Sequence, residues 1–205
     1  GVTSRSLRGC GGMRHYIQFT GEGVAGINAG NVKLLCQAPG KGRTAMVSTP
    51  IFNKGSHFVT SAYSVGCNGF KVSYESGTFK AVQTYKHAGS AGMANHHGGV
   101  IRVGEYVYGS NSGRLSCIHL ATGKVMWNEG SAGKGSILVV GDKIILRTEK
   151  GPVSLVEVSS KAYKESSRFS QPDRTSHRAW SHPVVSNGIL YLKDQDTLFA
   201  YDLRN

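Results

Sequence analysis

Histidine, lysine, tryptophan and hydroxyl side chains recur at corresponding places in this 205-residue chain, each just before a short apolar run. The groups are Ser48-Thr49-Pro50, Asn95-His96-His97-Gly98, Lys134-Gly135-Ser136 and Trp180-Ser181-His182. Imidazoles from separate segments can share one ligand or metal centre. If the fold brings the groups together, the candidate ligand residues are Thr49, Asn95, His96, His97, Lys134, Ser136, Trp180 and His182.

The elements that carry these side chains follow a repeat. Its unit is an apolar run, a glycine turn, an aromatic strand, a Gly or Asp turn and a third strand. The clearest copy is Gly98–Trp127. It predicts strands at Val100–Val103, Tyr106–Tyr108 and Leu115–His119, and Thr122-Gly123-Lys124 as the turn into a fourth strand.

Four further copies have the same order, and they start at His15, Thr49, Ser136 and His182. The first of these, ending at Cys36, aligns without gaps on Tyr106–Trp127. In the other copies the turn glycine recurs every 37 to 49 residues or so, the range of four-stranded propeller blades; these glycines are Gly55, Gly104, Gly141 and Gly188.

We therefore predict an all-β fold, an incomplete β-propeller of about four to five four-stranded blades forming a single domain over residues 1–205. The 28 glycines and the many aromatic and β-branched residues favour strands and tight turns. A lone sheet with two apolar faces must stack on neighbours, as blades do. A β-sandwich is the competing fold, but it does not require the glycine-turn register to recur.

In a propeller, the innermost strand of each blade begins near the axis. The polar groups that precede these strands would then face a shared channel and could form a ligand site. The alternative is that they bind channel waters and one another's backbone groups.

The charge and the cysteine content indicate which classes of partner and metal site to expect. The formal charge of +12 and the pI near 9.7 favour anionic partners. A polyanion binder would lose affinity steeply with salt, but the Lys and Arg residues are scattered without regular stacking aromatics, which does not favour nucleic acid. No apolar stretch approaches the roughly 20 residues of a membrane helix. Cys10, Cys36, Cys67 and Cys117 are far apart, so buried free thiols are expected rather than a zinc site.

The segment ATGKVMW (Ala121–Trp127) resembles the tryptophan-docking motif of pyrroloquinoline-quinone-type propeller repeats, Ala-x-Asp-x-x-Thr-Gly-x-x-x-Trp, with Cys117 and His119 in place of its Ala and Asp. Thr122, Gly123 and Trp127 are thereby structural docking residues. Longer segments, among them ANHHGGVIRVGEYVYG and WSHPVVSNGILYLKDQDTLFAYDL, resemble the C-terminal half of BamB-like quinoprotein-repeat propellers of the planctomycete type.

The resemblance implies a periplasmic or secreted protein whose N-terminal blades are missing from this chain. It also implies one of two functions, because the fold hosts both inert scaffolds and quinone-dependent dehydrogenases. A dehydrogenase would need Ca²⁺ held by carboxylates beside pyrroloquinoline quinone, with an Asp as base. The 12 acidic residues show no such set. We therefore expect a non-catalytic scaffold that binds another macromolecule, a protein rather than nucleic acid, with no catalytic or metal residues assigned.

Overall fold

The computed structural model describes residues 4–8 and 12–204 and shows five antiparallel sheets in chain order, which confirms the all-β propeller prediction. Blade one comprises β1 (Ser4–Arg8), β2 (Arg14–Phe19), β3 (Gly23–Asn28) and β4 (Leu34–Pro39). Blade two comprises β5 (Ile51–Asn53), β6 (Ser56–Ser61), β7 (Gly66–Glu75) and β8 (Thr78–His87). Blade three comprises β9 (Val100–Val103), β10 (Tyr106–Asn111), β11 (Arg114–His119) and β12 (Val125–Gly130).

Blade four comprises β13 (Gly135–Val140), β14 (Lys143–Thr148), β15 (Pro152–Glu157) and β16 (Glu165–Ser170). Blade five has three strands, β17 (Val184–Ser186), β18 (Ile189–Asp194) and β19 (Thr197–Asp202). The one helical element among the described residues is a 3₁₀ turn, Gly89–Ala91. No helix in the described part of the chain is long and apolar enough to cross a membrane.

The glycine turns lie between the first and second strands of blades two to five. Their φ values are 81° at Gly55, 58° at Gly104, 59° at Gly141 and 75° at Gly188, a region that is open to glycine and strained for other residues. The recurring glycine therefore marks a backbone requirement, which is why the repeat can be found from sequence.

The gapless alignment of blade one on blade three is also confirmed. His15 pairs with Asn28 as Tyr106 pairs with His119. The third and fourth strands of both blades carry a bulge at the matching place, after Gly26 and after Cys117.

Among the described residues, four hydrophobic cores hold the blades together, one between each consecutive pair. Phe19 of blade one packs with Phe70 of blade two, and Phe58 of blade two with Ile118 of blade three. The other two cores join blade three to four and blade four to five. Blades two, three and four thus each pack both faces on a neighbour, which a single sheet could not do alone.

The residue opposite the bulge on the fourth strand faces the next blade. In blade three it is Trp127, which is 6% exposed and donates from Nε1 to the Ser159 carbonyl of blade four at 2.8 Å. In blade two it is Tyr85, whose hydroxyl donates to the Leu120 carbonyl of blade three at 2.8 Å. Tyr85 therefore lies at the same position as Trp127, although it is not part of a recognisable motif.

The turn before β12 packs on blade two. The φ of Gly123 is 75°, and a Cβ there would lie 2.4 Å from the Tyr85 ring. His119 takes the part of the motif's Asp, because its Nδ1 lies 3.0 Å from the Thr122 hydroxyl and accepts from the Thr122 amide at 3.3 Å. Cys117, at the motif's Ala position, is a buried free thiol, as is Cys67. Cys36 is half-buried, and Cys10 lies outside the described residues.

Candidate functional site

The beginning of β13 and the end of β14 meet because the two strands are antiparallel neighbours. This register places Glu149 beside Lys134, and the Glu149 amide donates to the Lys134 carbonyl at 2.9 Å. The Glu149 side chain is only 8% exposed. A carboxylate is thereby buried at the end of the blades where the predicted ligand residues lie.

Donors from three segments of the chain converge on this carboxylate. Its Oε2 accepts from Lys134 Nζ at 3.2 Å and from Trp180 Nε1 at 3.1 Å, and lies 3.2 Å from His97 Nε2. Arg178 lies 3.7 Å from Oε1. We call this set, completed by His96, the Glu149 cluster. It joins the segment before blade three, blade four and the segment before blade five.

His96 occupies the outer edge of the cluster. Its Nδ1 lies 3.1 Å from Lys134 Nζ and its Nε2 lies 3.1 Å from the Tyr63 hydroxyl. An ammonium can only donate, so the network assigns the ring proton to Nε2, and His96 donates to Tyr63. The His97 ring lies 5.3 Å from that of His96 and 5.4 Å from that of Trp180, so the aromatic rings pack on one another.

The electrostatics of the cluster favour one ionised acid and two neutral imidazoles. Burial alone would raise the pKa of Glu149, but hydrogen bonds from Lys134 and Trp180 and the Lys134 charge outweigh it and hold that pKa below its ordinary value. Burial lowers the pKa of His96 and of His97, and the nearby Lys134 charge lowers both further.

The remaining predicted residues lie around the cluster without touching Glu149. Asn95 is buried and ties blades two and three together. Its backbone amide donates to the Thr60 hydroxyl of β6 at 3.0 Å, and its side chain donates to the Ser110 carbonyl of β10 at 2.9 Å. Ser136 is buried and donates to the Trp180 carbonyl at 3.4 Å. Thr49 and His182 are exposed, and His182 lies against the backbone at Gly99. The structure therefore groups His96, His97, Lys134 and Trp180, and leaves the other four as neighbours.

Three residues of the site were missed from sequence: Glu149, Arg178 and Tyr63. Strand register could have found Glu149, because the residue after a second strand faces the residue before the first strand. Arg178 and Tyr63 lie in irregular segments, where the repeat offers no register to count from.

The cluster does not fit the Ca²⁺ of a quinone enzyme. Ca²⁺ takes about six to eight oxygen ligands, whereas Glu149 is the cluster's single carboxylate and its Oε2 is already occupied by Lys134 and Trp180. Within residues 12–204, no three or more His, Cys, Asp and Glu side chains group as metal ligands.

Comparison with known proteins supports the fold. No family model matches the chain, and no curated protein matches it significantly in sequence. Among solved structures, it is similar to the computationally designed Ika8 protein, with a TM-score of 0.68 and 11% identity over 92% of this chain and 55% of that one.

Two further structures are similar to this chain. BamB from Moraxella catarrhalis has a TM-score of 0.61 and 13% identity over 92% of this chain and 53% of that one. The designed Ika4 protein has a TM-score of 0.58 and 11% identity over 84% of this chain and 99% of that one. The chain thus spans about half the length of Ika8 and BamB, and its fold is that of these proteins.

Proposed function

We propose that this chain is a non-catalytic propeller module that binds another protein through the exposed side of the Glu149 cluster. The observation that carries the proposal is the pairing of exposed binding-type side chains with a buried, rigid support. Trp180 is 55% exposed, yet its indole nitrogen is bonded to the buried Glu149.

Neighbouring side chains extend this surface. Tyr63 is 52% exposed and bonded to His96, and the Arg178 side chain is 60% exposed beside Glu149. Trp, Tyr and Arg contribute most binding energy in protein interfaces. Side chains already held in place lose less conformational entropy when a partner binds.

The family and the cellular location of the module are also proposals, and the resemblance of its segments to quinoprotein-type repeats supports them. We propose that the chain represents the C-terminal half of a BamB-like quinoprotein-repeat propeller of the planctomycete type, acting outside the cytoplasm, with residues 1–205 as one domain. The shared cores between consecutive blades support a single unit.

The proposal is tested by photo-crosslinking in the organism that makes the protein. A photoreactive phenylalanine analogue replaces Tyr63 in one strain and Val82, 59% exposed on β8, in another. We expect a discrete protein adduct from position 63 and none from position 82. Adducts of equal yield at both positions, or none at position 63, would refute the proposal.

A second comparison ties the adduct to the cluster. Trp180→Ala should reduce the yield at position 63 several-fold, whereas Leu34→Ala, which removes a 58% exposed side chain from blade one, should not. The dehydrogenase alternative is tested by titrating the purified chain with pyrroloquinoline quinone and Ca²⁺. Saturable, Ca²⁺-dependent binding that raises the melting temperature would favour that alternative.

A further inference from the structure

A polar pocket of about 510 Å³ adjoins the Glu149 cluster at the end of blades two and three. Its walls are the turn after β6, the 3₁₀ turn, the turn after β10 and two cations of the cluster. The lining residues that matter here are Tyr63, Ser64, His96, Ser112, Lys134 and Arg178. No acidic residue lines the pocket.

The hydrogen-bond pattern makes this pocket rich in donors. Lys134 donates to His96, and His96 donates to the Tyr63 oxygen. The Tyr63 hydroxyl hydrogen is then not used by His96 and can point into the pocket. The ammonium of Lys134 has three N–H groups, and Glu149 and His96 take two.

Arg178 supplies the main free donors. Its closest described carboxylate oxygen, Glu149 Oε1, is 3.7 Å away, which is longer than a hydrogen bond. The guanidinium fork is planar and matches the two oxygens of a carboxylate. A single Glu149 lies behind Lys134 and Arg178, so the three groups together carry one net positive charge.

We propose that this pocket binds a carboxylate of an acidic segment of the partner protein, with Arg178, Lys134 and Tyr63 as the donors. One net positive charge matches one carboxylate better than a doubly charged phosphate. The overall charge of +12 would also steer an acidic partner toward this chain. This inference rests on the proposed function and adds the chemistry that the site recognises.

The test measures fluorescence anisotropy of labelled peptides with the purified chain. The probes are hexaglutamate with blocked ends, hexaglutamine with blocked ends, and hexaglutamine with a free C-terminal carboxylate. We expect hexaglutamate to bind and blocked hexaglutamine not to bind. Binding of the third probe alone would assign the carboxylate to a chain terminus instead of a Glu or Asp side chain.

The variants separate the pocket from general charge. Arg178→Gln should weaken hexaglutamate binding about tenfold, as loss of a charged hydrogen bond predicts, and Tyr63→Phe about threefold. Lys33→Gln removes one charge from an exposed position in blade one and should change binding less than twofold. Circular dichroism checks each fold, and Tyr63→Phe decides the question if Arg178→Gln does not fold.

Two outcomes would overturn the inference. One is an effect of Arg178→Gln no larger than that of Lys33→Gln. The other is displacement of the peptide by inorganic phosphate more readily than by acetate, a single carboxylate, at matched ionic strength. If either occurs while the crosslink at position 63 persists, only the carboxylate assignment falls. If the crosslink at position 63 is also absent, the proposed function itself is wrong.

Discussion

The interface between blades three and four and that between blades four and five use the same strand register but are filled differently. In the first, Trp127 pairs with Cys117, and its ring lies against Tyr108 and Tyr163 of the two blades. In the second, the equivalent pair is Ser167 with Leu155, which leaves an apolar cleft of about 400 Å³. The ring side chain at the bulge position is therefore not required for this fold.

The two interfaces differ in which strand carries the larger side chain of the pair, the fourth strand in blade three and the third strand in blade four. A large ring on the fourth strand needs a small partner on the third, and Gly69 opposite Tyr85 meets this need, since a Cβ there would lie 2.0 Å from the ring. Leu155 reverses the order by placing the larger side chain on β15. Blade five then depends on its smaller apolar core and on the Glu149 cluster, to which the Ala179 amide and Trp180 are bonded.

Trp127→Ala should produce the largest effect. Removing a buried indole between two blades leaves a cavity and an unpaired Ser159 carbonyl, so we expect a loss of about 3 to 5 kcal/mol in the free energy of unfolding. Urea denaturation measures it. Trp180→Ala is the control. That ring is 55% exposed but its Nε1 donates to the buried Glu149, so we expect a smaller loss of about 1 to 2 kcal/mol. Equal losses would show that Trp127 does not close the interface.

Glu149→Gln should destabilise the protein by about 2 to 3 kcal/mol at pH 7, because Lys134 loses its buried counter-charge. The folded-state pKa of Glu149 is lowered, so its contribution is present above the ordinary glutamate pKa and is lost as the pH falls through the lowered value. Urea denaturation at pH 7 and at acid pH should show the difference between wild type and variant narrowing with acid. A gap that is constant with pH would contradict this account.

Two substitutions are expected to fill the apolar cleft between blades four and five. Leu155→Ala with Ser167→Trp restores the small–large order of blade three, and we expect it to be about 1 to 2 kcal/mol more stable than Leu155→Ala alone. Ser167→Trp alone should be destabilised, because Leu155 occupies part of the space. Denaturant unfolding of the four proteins completes the cycle. A double variant no more stable than Leu155→Ala would show that the two interfaces are not equivalent.

The smallest expected effect is on the reactivity of the Cys117 thiol, which pairs with Trp127 across the strands. Burial raises the pKa of Cys117 and of Cys67 to about 12, so both should react slowly with N-ethylmaleimide at pH 8. Trp127→Phe should increase the labelling rate of Cys117 several-fold and leave that of Cys67, which lies on β7 in blade two, unchanged. Peptide mass spectrometry distinguishes the two cysteines. A parallel rise at both would indicate general loosening.

Most of the fold could be predicted because its determinants are local. A glycine that must adopt a positive φ, such as Gly104 or Gly141, recurs wherever the turn recurs. Alternating strands between these turns then define the blades. Tyr85 was missed as a counterpart of Trp127, since the length of β7 and β8 shifts it out of the motif spacing.

The site was predicted less completely. The sequence by itself determined the blade repeat and the recurrence of polar groups before the first strands, because both follow from backbone periodicity. Only the tertiary structure decided that His97, Lys134 and Trp180 meet on Glu149 and that His96 bonds to Lys134, while Thr49 and His182 stay outside the cluster. The Lys134–Glu149 pair follows from antiparallel register and could have been counted along the chain. The contacts of His96, His97 and Trp180 depend on how irregular segments pack between blades, and the spacing of residues does not give that packing.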